Sequence, residues 1–187
     1  MARITLPSNE DLTPEQAEVV AEVVSGKRDK MPGPMIGWLP NPEFARRAQK
    51  LGELLRFDTS LEPVLSELAI LICGRHWDSH YEWVMHKRIA IEAGLDARTI
   101  ADIAARKSLP FLRSAREEVV FAVASRLMAK GKIDDLLYVR GVEVLGQKGM
   151  VDLVGILGYY CLVSLTLNAF EIGLPEHFAP ELQAGEV

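Results

Sequence analysis

The sequence predicts an all-α protein, a compact bundle of about seven or eight helices. Apolar residues recur three to four positions apart in successive segments, which is the spacing of an amphipathic or buried helix. Capping residues precede most of these segments, and none shows the apolar–polar alternation that is typical of a strand. With 187 residues, 49% of them hydrophobic, the chain is long enough to bury the core of one domain spanning 1–187.

The charge and the cysteines narrow the function classes. A net charge of −5, without a dense group of Lys and Arg, argues against a nucleic-acid partner. The first residues lack the long apolar core of a signal peptide, so the expected location is the cytoplasm. The two cysteines, Cys73 and Cys161, form no recognisable disulfide or metal framework.

The N-terminal residues, 1–40, predict one helix and a proline-rich loop. A capping box over 13–16, with proline at the first helical position, starts a helix that runs to about Ser25. In the following segment, 26–40, repeated prolines and glycines predict a loop without regular helix. Because this loop contains Trp38 and other apolar side chains, it either covers the core or lines the mouth of a pocket.

Two helices follow, and the second carries an isolated acid. Asn41 opens the first, which runs to about Phe57. The next extends to about Arg75 and contains Glu67 as the single acid of an apolar run. Since a buried acid needs a partner, Glu67 either completes a functional site or makes a structural hydrogen bond. The first helix is amphipathic, with one face formed by Phe44, Ala48, Leu51, Leu54 and Leu55.

The second half predicts four further helices, bounded by capping residues and helix breakers. They cover about 97–106, 119–129, 134–145 and 150–170, and Ser114 with Glu117 forms a second capping box. The uncharged run from Leu153 to Leu167 is shorter than the roughly twenty residues that cross a bilayer, so we expect a buried helix and no membrane partner. A helix apolar on every side needs extra cover, which predicts a homo-oligomer. The chain from Gly173 onward is expected to be a surface extension.

The candidate site lies on either side of a helix break at Trp77-Asp78-Ser79. Asp78 or Ser79 can cap a second helix that runs to about Ala93. At about 100° per residue, Ser79, Glu82 and His86 share one stripe of that helix, and an antiparallel packing would bring Glu67 to the same place. Glu82 and His86 alone could be an ordinary surface pair. The dense aromatic surroundings favour a pocket, because an unpartnered charge would be costly there.

The same residues carry a resemblance to a known superfamily. Glu67 followed by His86 nineteen residues later resembles the core motif of the carboxymuconolactone decarboxylase and alkylhydroperoxidase D (AhpD-like) superfamily. The run Tyr81-Glu82-Trp83 before His86 resembles the decarboxylase branch. The peroxidase branch has a Cys-x-x-Cys pair at the positions of Ser79 and Glu82, and both cysteines are missing here. The similarity covers roughly residues 35 to 175.

The resemblance implies an AhpD-like helical bundle that assembles as a trimer or hexamer. It also implies cofactor-free decarboxylation of a small carboxylated lactone in the catabolism of aromatic compounds. His86 would deliver a proton or stabilise the enolate, Glu82 would orient His86, and Glu67 would complete the relay. No metal is expected. We further predict that Ser79, Tyr81, Trp83 and Trp38 bind the substrate.

Three alternatives stay open. A metal could be held by His76 and His80 together with His86 and the two glutamates. A thiol-dependent alkylhydroperoxidase-related activity would need a reactive cysteine pair, which Ser79 and Glu82 do not provide. The third alternative is a non-catalytic oligomeric binding or scaffold protein that keeps the pocket residues for stability. The hydroxyls of Tyr159 and Tyr160 either reach the pocket or are satisfied in the core.

Overall fold

Every regular element of the described residues is a helix. The structure, a computed structural model, describes residues 2–8, 10–28 and 31–183. The all-α prediction is confirmed, with eight helices in these ranges. They are α1 (Pro14–Ser25), α2 (Met35–Trp38), α3 (Pro42–Phe57), α4 (Pro63–His76), α5 (His80–Glu92), α6 (Ala97–Ala104), α7 (Ala115–Lys130) and α8 (Asp135–Ala169).

Side-chain caps fix most of the predicted helix starts. At α1 both bonds of the capping box form, since Thr13 Oγ1 accepts from the Gln16 N–H and the Gln16 side chain accepts from the Thr13 N–H. At α7 Ser114 Oγ accepts from the N–H of Glu117 at 3.1 Å. The Glu117 carboxylate, however, accepts from the N–H of Arg113, so only half of the second predicted box is present.

The break between α4 and α5 forms without a side-chain cap. Ser79 is the N-cap residue of α5, but its hydroxyl makes no capping bond. Asp78 adopts a left-handed conformation with φ 46°. Its carboxylate accepts from Arg106 at 2.9 Å and also binds Arg75. Ser79 thus occupies the predicted N-cap position of α5, but the side-chain capping bond does not form. The Asp78 carboxylate is engaged by two guanidinium groups instead.

The proline-rich segment contains a helical turn that the sequence analysis did not predict. Pro34 precedes α2, and a proline is tolerated at a helix start because the first N–H groups have no helical partner. Met35 and Leu39 are fully buried. Trp38 donates its indole N–H to Thr166 Oγ1 on α8 at 2.8 Å. The segment thus packs against the core, although its residues 29–30 lie outside the described part of the chain.

Helix α4 is the centre of the fold and packs against α5, α6, α7 and α8. Every residue from Leu65 to Arg75 is buried. Burial on all sides follows from the continuous apolar sequence of this helix. Glu67 is therefore held inside the protein and faces neighbouring helices instead of water.

Helix α8 consists of two arms that meet at Gly146. Gly146 has φ 75° and ψ 165°, which is not helical, so the two helices predicted over 134–145 and 150–170 are both present as arms of α8. The helix is long and apolar enough to cross a membrane, yet 56% of its most apolar window is buried in the protein. This arrangement is compatible with the core helix of a soluble protein.

The structure shows which side chains of α3 and of the C-terminal segment are buried. On α3 the buried residues are Ala45, Ala48, Gln49, Gly52 and Leu55, whereas Phe44, Leu51 and Leu54 are between 41% and 52% exposed. The chain after Gly173 lies on the surface, as expected, and most of its described residues are exposed. Leu182 is buried, Lys87 Nζ donates to Glu181 Oε2 at 2.6 Å, and the segment folds back onto α5. Residues 184–187 lie outside the described residues.

Candidate active site

Two carboxyl groups bracket one imidazole inside the bundle. His86 Nδ1 lies 2.7 Å from Glu67 Oε2, and His86 Nε2 lies 3.3 Å from Glu82 Oε2. Glu67 comes from α4, while Glu82 and His86 lie one turn apart on α5. All three residues are at most 5% exposed. The antiparallel packing of α4 and α5 thus brings together the three residues that the spacing singled out.

In a neutral imidazole, the two contacts assign different hydrogen-bonding roles to the two ring nitrogens. If Nδ1–H donates to Glu67, then Nε2 is an acceptor and needs a donor on its other side. Burial raises the pKa of Glu82, although His86, Arg56 and Arg28 act in the opposite direction. The neutral acid that burial favours can donate its proton to Nε2. Glu82 Oε2 lies 3.3 Å from Nε2, within reach for such a proton transfer.

A cavity of about 400 Å³ lies beside the Glu67–His86–Glu82 trio. Glu82 and His86 line it, whereas Glu67 lies behind His86 and does not. The remaining walls are formed by the proline-rich segment, α5, α8 and the C-terminal segment. Arginine and aromatic side chains in these walls include Arg28, Arg56, Tyr81, Tyr159, Tyr160 and Phe178.

Two tyrosines of α8 form the wall opposite α5. The Tyr160 ring meets the His86 ring edge to face with centroids 4.9 Å apart. Burial raises the pKa of Tyr159 to about 12, and it raises the pKa of Tyr160 well above its ordinary value. Both phenols therefore stay protonated at neutral pH. Both side chains line the cavity and also belong to the buried core.

Two arginines give the cavity a positive side that the sequence analysis missed. Arg28 follows α1, and Arg56 belongs to the last turn of α3; both line the cavity. At Gly52 of α3 an added Cβ would overlap the Tyr159 hydroxyl and lie 2.6 Å from Arg28 Nη2. Because Gly52 has no side chain, Arg28 and Tyr159 can pack directly against the α3 backbone at this position. No local pattern around either arginine pointed to a pocket, because both reach it through tertiary packing.

The four predicted substrate-binding residues divide into two pairs. Tyr81 and Trp38 line the cavity, and Gly33 lies against the Tyr81 ring. Trp83 is 2% exposed and belongs to the core, and Ser79 is 1% exposed. Neither Ser79 nor Trp83 is among the lining residues. Both side chains are buried away from the cavity, and their contact with substrate stays a prediction.

Two of the three histidines of the metal alternative, His76 and His80, lie apart from the cavity. His76 packs on Trp77 with ring centroids 5.0 Å apart, and neither His76 nor His80 is a lining residue. Among the described residues, no group of three or more His, Cys, Asp or Glu side chains is placed to hold a metal ion. The structure thus does not assemble the ligand set considered for a metal.

Comparisons with known proteins identify the fold. No protein-family model matches the chain, and no curated protein matches it either. A solved structure described as an alkylhydroperoxidase AhpD core, an uncharacterized peroxidase-related protein from Ralstonia eutropha JMP134, is similar with a TM-score of 0.75 and 14% identity over 94% of this chain and 93% of that one.

The debrominase Bmp8 is a second structural neighbour. A cysteine-to-alanine variant in complex with 2,3,4-tribromopyrrole has a TM-score of 0.71 and 12% identity, covering 92% of this chain and 91% of that chain. The apo form matches at the same TM-score and identity. Identities this low establish the architecture and leave the chemistry to the residues of the site. The chain has the AhpD-like fold that its Glu67–His86 motif implied.

Proposed function

We propose that the chain is a cofactor-free enzyme that decarboxylates a small carboxylated lactone, or carries out related proton transfer, in the catabolism of aromatic compounds. The observation that supports this most directly is the buried Glu67–His86–Glu82 trio, whose last two members open on a cavity of about 400 Å³. A cavity of this size suits a small organic molecule. The carboxy-lyase reaction itself is inferred from the trio and from the decarboxylase-like motif.

The trio divides the work of proton transfer. Glu67 accepts from His86 Nδ1–H and so fixes the ring orientation and tautomer, which makes it a positioning residue. Glu82 and His86 touch the cavity and share the proton on the Glu82–Nε2 side. Burial raises the pKa of Glu82, which favours the protonated acid that can deliver its proton to a carbanion.

The arginines supply the charge that an anionic substrate needs. The buried Arg28 Nε has no hydrogen-bond partner within the described ranges, so it can donate to a ligand. Arg56 brings a second positive charge to the same wall. If the arginines bound the carboxylate that leaves as CO₂, they would stabilise the ground state. We therefore propose that they bind a second carboxylate or the lactone oxygen, where negative charge develops.

In the proposed reaction the bond between the ring carbon and its carboxylate breaks, and CO₂ leaves. The electron pair is delocalised into the unsaturated carbonyl as an enolate. A proton from the Glu82–His86 pair then reaches the carbon, which converts one carboxylate and one proton into CO₂ and a C–H bond. The substrate carbonyl accepts the electrons, so the proposal includes no cofactor.

The test is the loss of ultraviolet absorbance and the release of CO₂ when purified protein is incubated with γ-carboxymuconolactone. We expect turnover by the wild type and a loss of about 100-fold or more in kcat for His86→Gln, the usual contribution of a general acid. Arg56→Gln should raise KM by about tenfold, which corresponds to about 1.4 kcal/mol of binding. Full activity in His86→Gln would refute the proposal.

A matched variant separates a specific loss from a general charge effect. Arg47 lies on the same helix as Arg56, and its side chain is 80% exposed, so Arg47→Gln should leave both constants unchanged. If the wild type does not turn over the lactone, a thermal shift with small carboxylic acids decides between two cases. A raised Tm that Arg56→Gln abolishes would identify an anion-binding cavity with another substrate. No shift would favour a protein without this function.

The alkylhydroperoxidase-related alternative is compatible with the fold and with one structural neighbour. The resemblance places its redox pair at Ser79 and Glu82, which carry no thiol. Peroxidase chemistry in this chain would therefore require cysteines at other positions. No observation at the His86 cavity favours it over acid–base chemistry.

The partners that we propose are a small carboxylate or lactone in the cavity and further copies of the chain. Assembly as a trimer or hexamer is suggested by the apolar residues left exposed on α3 and on the second arm of α8. The acidic net charge of −5 gives no support to a nucleic-acid partner. The proposed location is the cytoplasm, with no membrane partner.

A further inference from the structure

The fold brings the two cysteines of the chain into contact, although 88 residues separate them. Cys73 lies on α4 and Cys161 on α8, and their Sγ atoms are 3.5 Å apart. Both are free thiols. A disulfide requires the sulfur atoms to come about 1.5 Å closer, a movement that side-chain rotation and a small helix shift can supply. No local pattern around either cysteine indicates this pair, because the contact depends on the packing of α4 against α8.

The two thiols have different surroundings. Cys73 is fully buried, and its thiol can donate to Cys161. Cys161 is partly exposed, and its sulfur also accepts from Trp77 Nε1 at 3.2 Å. Met128 of α7 contacts Cys161 with its sulfur 3.7 Å away. Cys161 thus has two donors and access to solvent, whereas Cys73 lies behind it.

These surroundings shift the pKa values of the two thiols in opposite directions. The hydrogen bond from Cys73 and then the one from Trp77 lower the pKa of Cys161 to about 6, although burial opposes them. The hydrogen bond to Cys161 and burial raise the pKa of Cys73. A thiolate beside a protonated thiol is the arrangement of an attacking and a resolving cysteine.

We propose that Cys73 and Cys161 form a reversible intramolecular disulfide, a redox-modification site separate from the His86 cavity, in which Cys161 reacts first with a peroxide. Neither cysteine lines the cavity. The inference also does not depend on the decarboxylase proposal, because it rests on the contact between the two sulfurs.

The chemistry proceeds in two balanced steps. The Cys161 thiolate attacks one oxygen of hydrogen peroxide, the O–O bond breaks, and a sulfenic acid and water form once a proton is taken up. The Cys73 sulfur then attacks the sulfenic sulfur, loses its proton, and displaces a second water. Two thiols have been oxidised to one disulfide and one peroxide has been reduced to two waters. A small dithiol reverses the modification by thiol–disulfide exchange.

The first measurement treats the folded protein with one equivalent of hydrogen peroxide. We expect thiol titration to fall from two groups to none, intact mass to fall by two hydrogen atoms, and a peptide map to link Cys73 to Cys161. Addition of dithiothreitol should restore both thiols. Two free thiols after treatment, or covalent dimers in place of the internal link, would overturn the proposal.

Single substitutions test the order of the reaction. Alanine is the replacement of choice, because a serine hydroxyl at the buried Cys73 would need a new partner. Cys73→Ala should accumulate a sulfenic acid that dimedone traps at Cys161, while Cys161→Ala should react at least tenfold more slowly with peroxide. Equal slowing in both variants would contradict the assignment of Cys161 as the first cysteine.

A third variant keeps both thiols and removes only one donor. Trp77→Phe deletes the indole N–H that stabilises the Cys161 thiolate, so its alkylation by iodoacetamide should move to higher pH. In the wild type the rate should rise with a midpoint near pH 6. Among the described residues that contact Cys161, only Cys73 titrates, since Trp77 and Met128 are uncharged. A wild-type midpoint near that of a free cysteine, about 8.5, would overturn the assignment.

Discussion

At the scale of single residues, the fold changes the ionisation of Glu82. Burial raises its pKa above the ordinary value of 4.5. Below pH 4.5 the group is protonated in both the folded and the unfolded chain. As the pH rises above 4.5, the unfolded chain loses this proton while the folded protein keeps it, so the wild type loses stability until the pH passes the folded-state pKa.

Glu82→Gln should remove this pH dependence. The amide fills the same space and has no proton to lose, so the variant should gain stability over the wild type as the pH rises, by at most about 1.4 kcal/mol per pH unit. Urea denaturation at a series of pH values measures the difference. Glu92→Gln is the control, because the Glu92 side chain on the same helix is 68% exposed. A constant difference between pH 4 and pH 8 would contradict a raised pKa for Glu82.

Ser79 and Ser114 precede α5 and α7 at equivalent positions but have different hydroxyl environments. The buried Ser79 hydroxyl has no hydrogen-bond partner within the described part of the chain, whereas Ser114 Oγ accepts from the N–H of Glu117. Ser79→Ala should therefore be neutral or stabilising by up to about 1 kcal/mol, and Ser114→Ala should cost about 1 kcal/mol. Chemical denaturation of both variants tests this. A larger loss for Ser79→Ala would show that its hydroxyl has a partner.

The residues that local spacing could predict are those that share a helix face. Glu82 and His86 lie one helical turn apart, and the isolated acid Glu67 signals a buried partner, so the sequence predicted the trio. Arg28 and Arg56 could not be identified, because nothing near them indicates that two distant elements converge on one cavity. Trp83 shows the opposite error, since an aromatic residue within the motif belongs to the core.

At the scale of elements, Gly146 determines how the two arms of α8 meet. Its φ of 75° and ψ of 165° fall in a region that is open almost only to glycine. Gly146→Ala should therefore cost about 1–3 kcal/mol. Gly158 is helical, and an added Cβ there would meet no described atom within 4 Å, so Gly158→Ala should be neutral or stabilising by up to about 1 kcal/mol.

Thermal unfolding of the two glycine variants, measured side by side, tests the importance of the break. Both changes add one methyl group to the same helix, so they differ mainly in backbone conformation. If both variants had the same Tm, the left-handed conformation at Gly146 would not constrain the junction.

Helix ends were predictable, but the surroundings of each helix were not. Caps and prolines are local signals, which is why α1 and α3 begin where the sequence indicated. The apolar spacing of α3 shows which of its sides is apolar, but it does not show what covers that side. Phe44, Leu51 and Leu54 remain exposed in the isolated chain. The C-terminal segment has no helical pattern, so its packing over α5 could be known only from tertiary contacts.

At the scale of the whole molecule, apolar side chains remain uncovered along two neighbouring helices. On the second arm of α8, Val151, Val154 and Leu165 are 71%, 52% and 46% exposed. They recur at helical spacing, and the exposed residues of α3 extend the same apolar character to a helix that packs against α8. A water-exposed apolar stripe of this length is typical of a surface that binds another protein.

A charge placed in this stripe should prevent assembly of the chain. We expect sedimentation equilibrium of the wild type to give three or six times the chain mass of 20.8 kDa, and Val154→Lys to give a single chain with unchanged helix content. A lysine buried between copies would have to lose its hydration without a partner. Ala101→Lys adds the same charge at an exposed site of α6 and should leave the assembly intact. A wild-type mass of one chain would refute the oligomer, and an assembled Val154→Lys would place the interface elsewhere.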